Sequence, residues 1–127
     1  MDISNIFTDD PSGAKLVELA KSTATQLVRE NLTRAQIRNI FTEVRKIEAL
    51  WSTKRDDAMR RLNMLKPKLD YQAARSTPVG RLRDLLIPAI DEVGKAATDE
   101  ERDRRFSRFM DLFEAILAYH RAQGGRN

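Results

Sequence analysis

The chain has 127 residues, of which 41% are apolar and 33% charged, with a net charge of +4 and no cysteine. That length suits one domain with a single core, and the lack of cysteine excludes disulfides and thiolate metal sites. No apolar run approaches the roughly 20 residues that cross a bilayer, and the opening MDISNIFTDD is too acidic and polar for a signal peptide, so a cytoplasmic protein without a membrane partner is expected.

The first helical signal covers residues 14–30, after Pro11-Ser12-Gly13, with Val17, Ala20, Ala24, Leu27 and Val28 on one face. Thr33 and Gln36 then have the spacing of a capping box, in which two side chains satisfy backbone N–H groups left free at a helix start. The helix they open carries Ile37, Ile40, Phe41, Val44, Ile47 and Trp51 as its apolar stripe. A third begins near Lys54 and presents Met59, Leu62, Leu65 and Leu69. Pro67 should bend or restart it, since proline lacks the N–H and crowds the preceding turn. STPVG, at 76–80, is the clearest break. Leu82, Leu86, Ile90 and Val93 mark a fourth helix, with a kink expected at Pro88. Thr98 and Glu101 cap the last and longest, striped by Phe106, Phe109, Met110, Phe113, Ile116 and Leu117 and ended by Gly124-Gly125. No strand pattern and no internal repeat appears. The fold class read from this order is all-α: a compact bundle of about five helices in one domain over 1–127, with a flexible acidic N-terminus at 1–12 and a flexible tail at 124–127.

Enzymatic chemistry finds little support. His120 is the only histidine and falls on the apolar stripe, three and four positions beyond Leu117 and Ile116, where a packed or capping role outweighs a catalytic one. Asp56-Asp57 and TDEERD contain carboxylates, but adjacent helical residues diverge by about 100° and these have arginine neighbours, so a salt-bridged face fits better than metal ligation. With no glycine-rich phosphate loop either, the expectation is a non-enzyme with no cofactor, no metal and no small-molecule substrate.

The charge distribution is more informative. Residues 1–31 carry −2, residues 77–127 are neutral, and residues 32–76 hold eleven basic against five acidic groups, a net +6. Each cation can be tested for an acid three or four positions away on its own helix. Arg104, Arg105 and Arg108 pass that test, with Glu100, Glu101 and Asp111, and read as an ordinary ion-pair face. Arg34 and Arg38 have none, and Arg45, which has Glu48, lies within the same arc of about 40°. Lys54, Arg61, Lys68 and Arg75 recur at intervals of seven; in one continuous helix they drift about 20° per heptad and make a stripe roughly 30 Å long. Asp57 can serve Lys54 or Arg61, while Lys68 and Arg75 have no local acid, and Arg83 stands alone without one. Such a surface favours a polyanion; the alternative is that acids elsewhere in the fold, or water, satisfy it.

A long, spaced stripe suits a phosphate backbone better than one small anion. With one Trp, two Tyr and five Phe, most on core stripes, the chain offers little for base-stacking platforms, which leaves recognition of backbone and shape. A helix-turn-helix DNA binder is the nearest rival, because VRENLTRAQIRNIF has some of that look. The glycine-containing tight turn is missing, however, and three arginines on one arc are too uniform for reading base edges.

Three segments resemble one family: LTRAQIRNIFTEVRKIEAL at 32–50, MLKPKLDYQAAR at 64–75 and RFMDLFEAILAYHRAQGG at 108–125. Their order and spacing are similar to those of the small subunit of the type III-A CRISPR–Cas effector, the Csm complex. The resemblance covers most of 32–125 and assigns no role to residues 1–31 or to STPVG. It implies a small helical protein that is not a nuclease, several copies of which stack along a ribonucleoprotein filament. They would hold guide RNA and the target RNA paired with it, while other subunits cleave RNA and signal and guide pairing supplies specificity. On this resemblance Arg34, Arg38, Arg45 and Lys46 match the family's basic second helix, and Pro67 would set the angle at which Lys66, Lys68 and Arg75 meet RNA. A different class of function remains open: a protein–protein assembly module using the Phe-rich last helix or part of the second, with a merely solubilising basic face.

Overall fold

The computed structural model describes residues 3–127, and the described residues form an all-α bundle. Six helices follow in order: α1 Ser4–Thr8, α2 Ala14–Arg29, α3 Arg34–Trp51, α4 Arg55–Arg75, α5 Thr77–Gly94 and α6 Asp99–Ala122. The apolar spacing of α6 makes it the central element, packed on α2, α5, α3 and α1. Phe109, Leu112, Phe113 and Ile116 have no exposed surface, and Phe41 meets Phe113 edge to face at 5.1 Å between centroids. α4 packs mainly on α3 and α5 and touches α6 through Arg55 at its first turn, so it is an outer helix with much of its surface to solvent.

Local chemistry sets the ends of these elements. α2 stops at Asn31, which takes a left-handed φ of 66°, while Leu32 N–H returns to the Leu27 carbonyl and Asn31 N–H to that of Val28. α6 ends the same way on Gly124, φ 85°, with Gly125 N–H on the His120 carbonyl and Gly124 N–H on that of Arg121. In both, a left-handed residue lets two orphan carbonyls find donors. The Thr33–Gln36 capping box forms as the spacing predicts, and Thr98 accepts from the Glu101 N–H.

Several elements differ from the sequence reading. The segment expected to be a flexible acidic lead carries α1, and its Ile3, Ile6 and Phe7 are buried; Met1 and Asp2 lie outside the described residues. α2 buries Ala20, Ala24 and Leu27 of the expected face together with Leu16 and Thr23, while Val17 is 42% exposed. At the start of this helix the Asp10 carboxylate accepts the N–H groups of Lys15 at 3.1 Å and Leu16 at 2.9 Å, which helps fix where the helix begins. The break at 76–80 shrinks to Ser76, which is extended, and Pro78 sits in the first turn of α5, where a missing N–H is harmless. α4 runs unbroken through Pro67 and α5 through Pro88. Both prolines are exposed, so water can reach the carbonyls they leave without donors.

Candidate nucleic-acid interface

The basic helices α3 and α4 are pinned at both ends. At the start of α3, Gln36 donates from Nε2 to Ser76 Oγ at 2.9 Å, holding that end beside the end of α4. His120, 1% exposed, donates from Nε2 to the Leu32 carbonyl at 2.8 Å, which ties the end of α6 to the residue preceding the α3 cap. Gly125 lies flat against the imidazole, where a Cβ would overlap the ring, and the next carbonyl, of Arg126, accepts the Arg34 N–H. The expected tail at 124–127 thus closes over the opening of α3.

At the other end, Trp51 stacks on Phe106 with centroids 3.9 Å apart and planes within 2°. Its indole N–H donates to Asp103 at 2.7 Å, and Arg55 grips the same carboxylate through two bonds of 2.8 and 2.9 Å. The hydrogen bonds from Arg55 and then Trp51 hold the Asp103 carboxyl below its ordinary value, outweighing burial, and Arg55 is raised in return. This clamp fixes the turn from α3 into α4 against α6.

The sequence-derived cations divide into two kinds. Among the described residues, Arg34, Arg38, Lys54, Arg61, Lys68 and Arg75 have no carboxylate within ion-pair distance. Of these, Arg34 reaches only the Asn127 side-chain oxygen, at 3.5 Å, and Arg75 donates to the Tyr71 hydroxyl at 3.1 Å. The others are paired: Arg45 with Glu48 at 2.9 Å and Glu114 at 3.4 Å, Lys46 with Glu43 at 3.5 Å, and Lys66 with Asp91 of α5. Lys66 and Lys68 flank Pro67 yet face opposite sides, because residues two apart on a helix point about 200° apart. Lys68 faces α3 and Lys66 faces α5.

Two grooves flank the outward side of α3. Between α3 and α4 one is lined by Lys46, Arg60, Arg61, Met64 and Lys68, with Glu43 at its edge. Between α3 and α6 the other is lined by Arg34, Arg38, Arg121, Ile37 and Leu117, with Glu114. Arg38 and Lys46 straddle the ridge separating them, about 80° apart at 100° per residue. The cations therefore form a broad face on α3 and α4 that could meet successive phosphates.

A sequence model of the Csm2 type III-A family matches residues 10–126. The chain belongs to that family. It is accordingly a small subunit of a type III-A CRISPR effector, associated with other subunits of that complex. Searches among curated proteins and among solved structures match nothing. The match begins at Asp10 and so takes in all of α2, beyond the 32–125 stretch whose motifs carry the resemblance.

In this Csm2-family chain, sequence reasoning missed Arg121, whose side chain has no partner among the described residues and lines the α3–α6 groove. The same test for a local acid would have found it, since Leu117, Ala118, Gly124 and Gly125 occupy the positions three and four away. Arg83 is not alone: it pairs with Asp84 at 3.0 Å and Asp70 at 3.5 Å. Arg108 turns from Asp111 to the Asp10 carbonyl oxygen, and Asp57 serves Arg60 at 3.2 Å, leaving Arg61 free. The Phe-rich face of α6, considered above as an assembly surface, is the core itself, with Phe106, Phe109 and Phe113 all buried. No helix among the described residues is long and apolar enough to cross a membrane.

Proposed function

We propose that this Csm2-family subunit holds the guide RNA–target RNA duplex by its backbone, through the face formed by α3 and α4. Several copies would stack along the effector, contacting one another and flanking subunits in the cytoplasm, and would contribute position rather than catalysis. The observation that supports the reading is the set of cations without carboxylate partners among the described residues: Arg34 and Arg38 on α3, Lys54 at the cap of α4, and Arg61, Lys68 and Arg75 on α4. Cations left unneutralised at regular spacing release counterions when phosphates replace them, which gives affinity without reading sequence. Guide pairing is then free to supply specificity.

The test is retention of RNA by the purified chain across a salt series, with RNAs of equal length and different sequence. Binding should fall steeply with salt and ignore sequence, and the RNA should stay intact with Mg²⁺ or Mn²⁺. Affinity that followed base sequence or ignored salt would remove backbone recognition, and cleavage by rigorously purified protein would remove the non-catalytic role.

A further inference from the structure

Three large apolar side chains stand exposed, Val17, Met64 and Tyr71, and two of them share one line of α4. Met64 is 51% exposed and Tyr71 63%. They are seven residues apart, about 10 Å along the axis, and parallel to the cation row of Arg61, Lys68 and Arg75. At 100° per residue the two rows are about 60° apart, and both drift by about 20° per heptad, so they stay in register. Each apolar side chain sits three residues after one cation and four before the next. Arg75 lies over the Tyr71 ring, its guanidinium carbon 5.7 Å from the centroid, and donates to the hydroxyl at 3.1 Å, which steadies the ring while most of it stays open to solvent.

We propose that Tyr71 is a stacking platform for one unpaired nucleobase of the bound RNA; this rests on the RNA-binding reading above. Among the described exposed apolar side chains it is the aromatic one, and its neighbours Lys68 and Arg75 have no carboxylate to hold among the described residues. A flat ring between cations that hold no carboxylate among the described residues matches a nucleotide, whose base and phosphate need both kinds of contact at one spacing. Bases inside an A-form duplex are covered by their neighbours, so the base must be a bulged, flipped or terminal one. Met64, one heptad earlier, extends the platform as a softer apolar surface beside Arg61 and Lys68.

The experiment uses the full chain and labelled RNA duplexes that are blunt, or that carry unpaired adenosines as a bulge or overhang. Wild type and Tyr71→Phe should prefer the RNAs with unpaired bases. Tyr71→Ala and Tyr71→Leu should lose that preference, weakening binding to those RNAs roughly 5- to 100-fold, the range expected for one stacked base. Binding to the blunt duplex should be unchanged, and so should the salt slope, since stacking releases no counterions. Leucine performing as well as phenylalanine, or a changed salt slope, would overturn the stacking role. So would a defect seen only in joining neighbouring subunits, which would make Tyr71 a protein contact. If replacing Arg38, Arg61 and Lys68 costs RNA binding while Tyr71→Ala does not, the base contact alone fails; if neither matters, the RNA reading fails with it.

Discussion

Replacing Arg38, Arg61 and Lys68 together by alanine separates an RNA face from a solubilising one. None of these side chains makes an ion pair or hydrogen bond among the described residues, and all three are exposed, so folding has little to lose. The stability change should stay within about 0.5 kcal/mol, the range for surface positions with no special role. If each cation meets one phosphate, its removal lowers the salt slope by about 0.7–0.9, or roughly 2–3 for the three. Between 50 and 200 mM salt the deficit relative to wild type should then shrink about 20- to 40-fold. The control is Arg81, Arg83 and Arg104 replaced together, which removes the same charge from cations paired with Glu30, with Asp70 and Asp84, and with Glu101. That protein should lose about 0.2–1 kcal/mol per broken surface pair and keep most of its RNA slope. Fluorescence anisotropy over a salt series reads both, with thermal melts in parallel. Equal slopes in the two triple variants, or a slope change below one in the first, would refute the assignment of the RNA face to α3 and α4.

Gly125→Ala should destabilise the fold by about 1–3 kcal/mol through overpacking, because its Cβ would overlap the His120 ring and disturb the bond to Leu32, as a thermal melt would read; no loss would mean the tail does not close on α6. Asp10 and Asp103 should govern acid sensitivity. Burial works to raise the Asp10 carboxyl, but the Leu16 and Lys15 N–H groups and the charge of Arg108 hold it below its ordinary 3.8, and Asp103 is likewise depressed. Groups depressed in the folded state stabilise above their ordinary value and lose that contribution as pH falls through the lower folded value, so stability should decline below about pH 4. Asp10→Asn should flatten that decline in pH-dependent melts, and an unchanged profile would remove Asp10 from it. Pro67→Ala restores an N–H for the Asn63 carbonyl in an unbroken helix and should raise stability, by roughly 1–3 kcal/mol. RNA affinity should hold; a fall would mean that Pro67 shapes the face.

What the sequence made legible were properties set within one helix. The stripes of α3, α5 and α6 and the Thr33–Gln36 box follow from spacing alone, and the structure buries Ile37, Val44, Leu82, Ile90 and Phe113 as expected. Contacts between helices were illegible. The partner of Lys66 is 25 residues away and that of Arg45 at Glu114 is 69 away, and no periodicity reports either. α1 was missed because five residues show too little periodicity, while on α2 Ala20, Ala24 and Leu27 are buried as read and Val17 is not. Opposition of Lys66 and Lys68, by contrast, was available from the 100° step and went unused in favour of their nearness to Pro67.

The cations on α3 and α4 are not free for want of acids. Among the described residues Glu18, Glu100 and Asp111 make no ion pair, so there are carboxylates to spare on α2 and α6. Where acids do approach the basic face they are already engaged: Glu43 holds Lys46, Asp57 holds Arg60 and Asp70 holds Arg83. Arg34 and Arg38 repel along one side of α3, and an acid in place of the exposed Thr42 would relieve Arg38 at a cost of one residue. Segregation of this kind leaves a modest destabilisation in the isolated fold and a field outside it. A merely solubilising surface is served equally well by interspersed charges of both signs, which is how α6 is built. The separation of the two patterns within one small chain therefore weighs toward an anionic partner on α3 and α4.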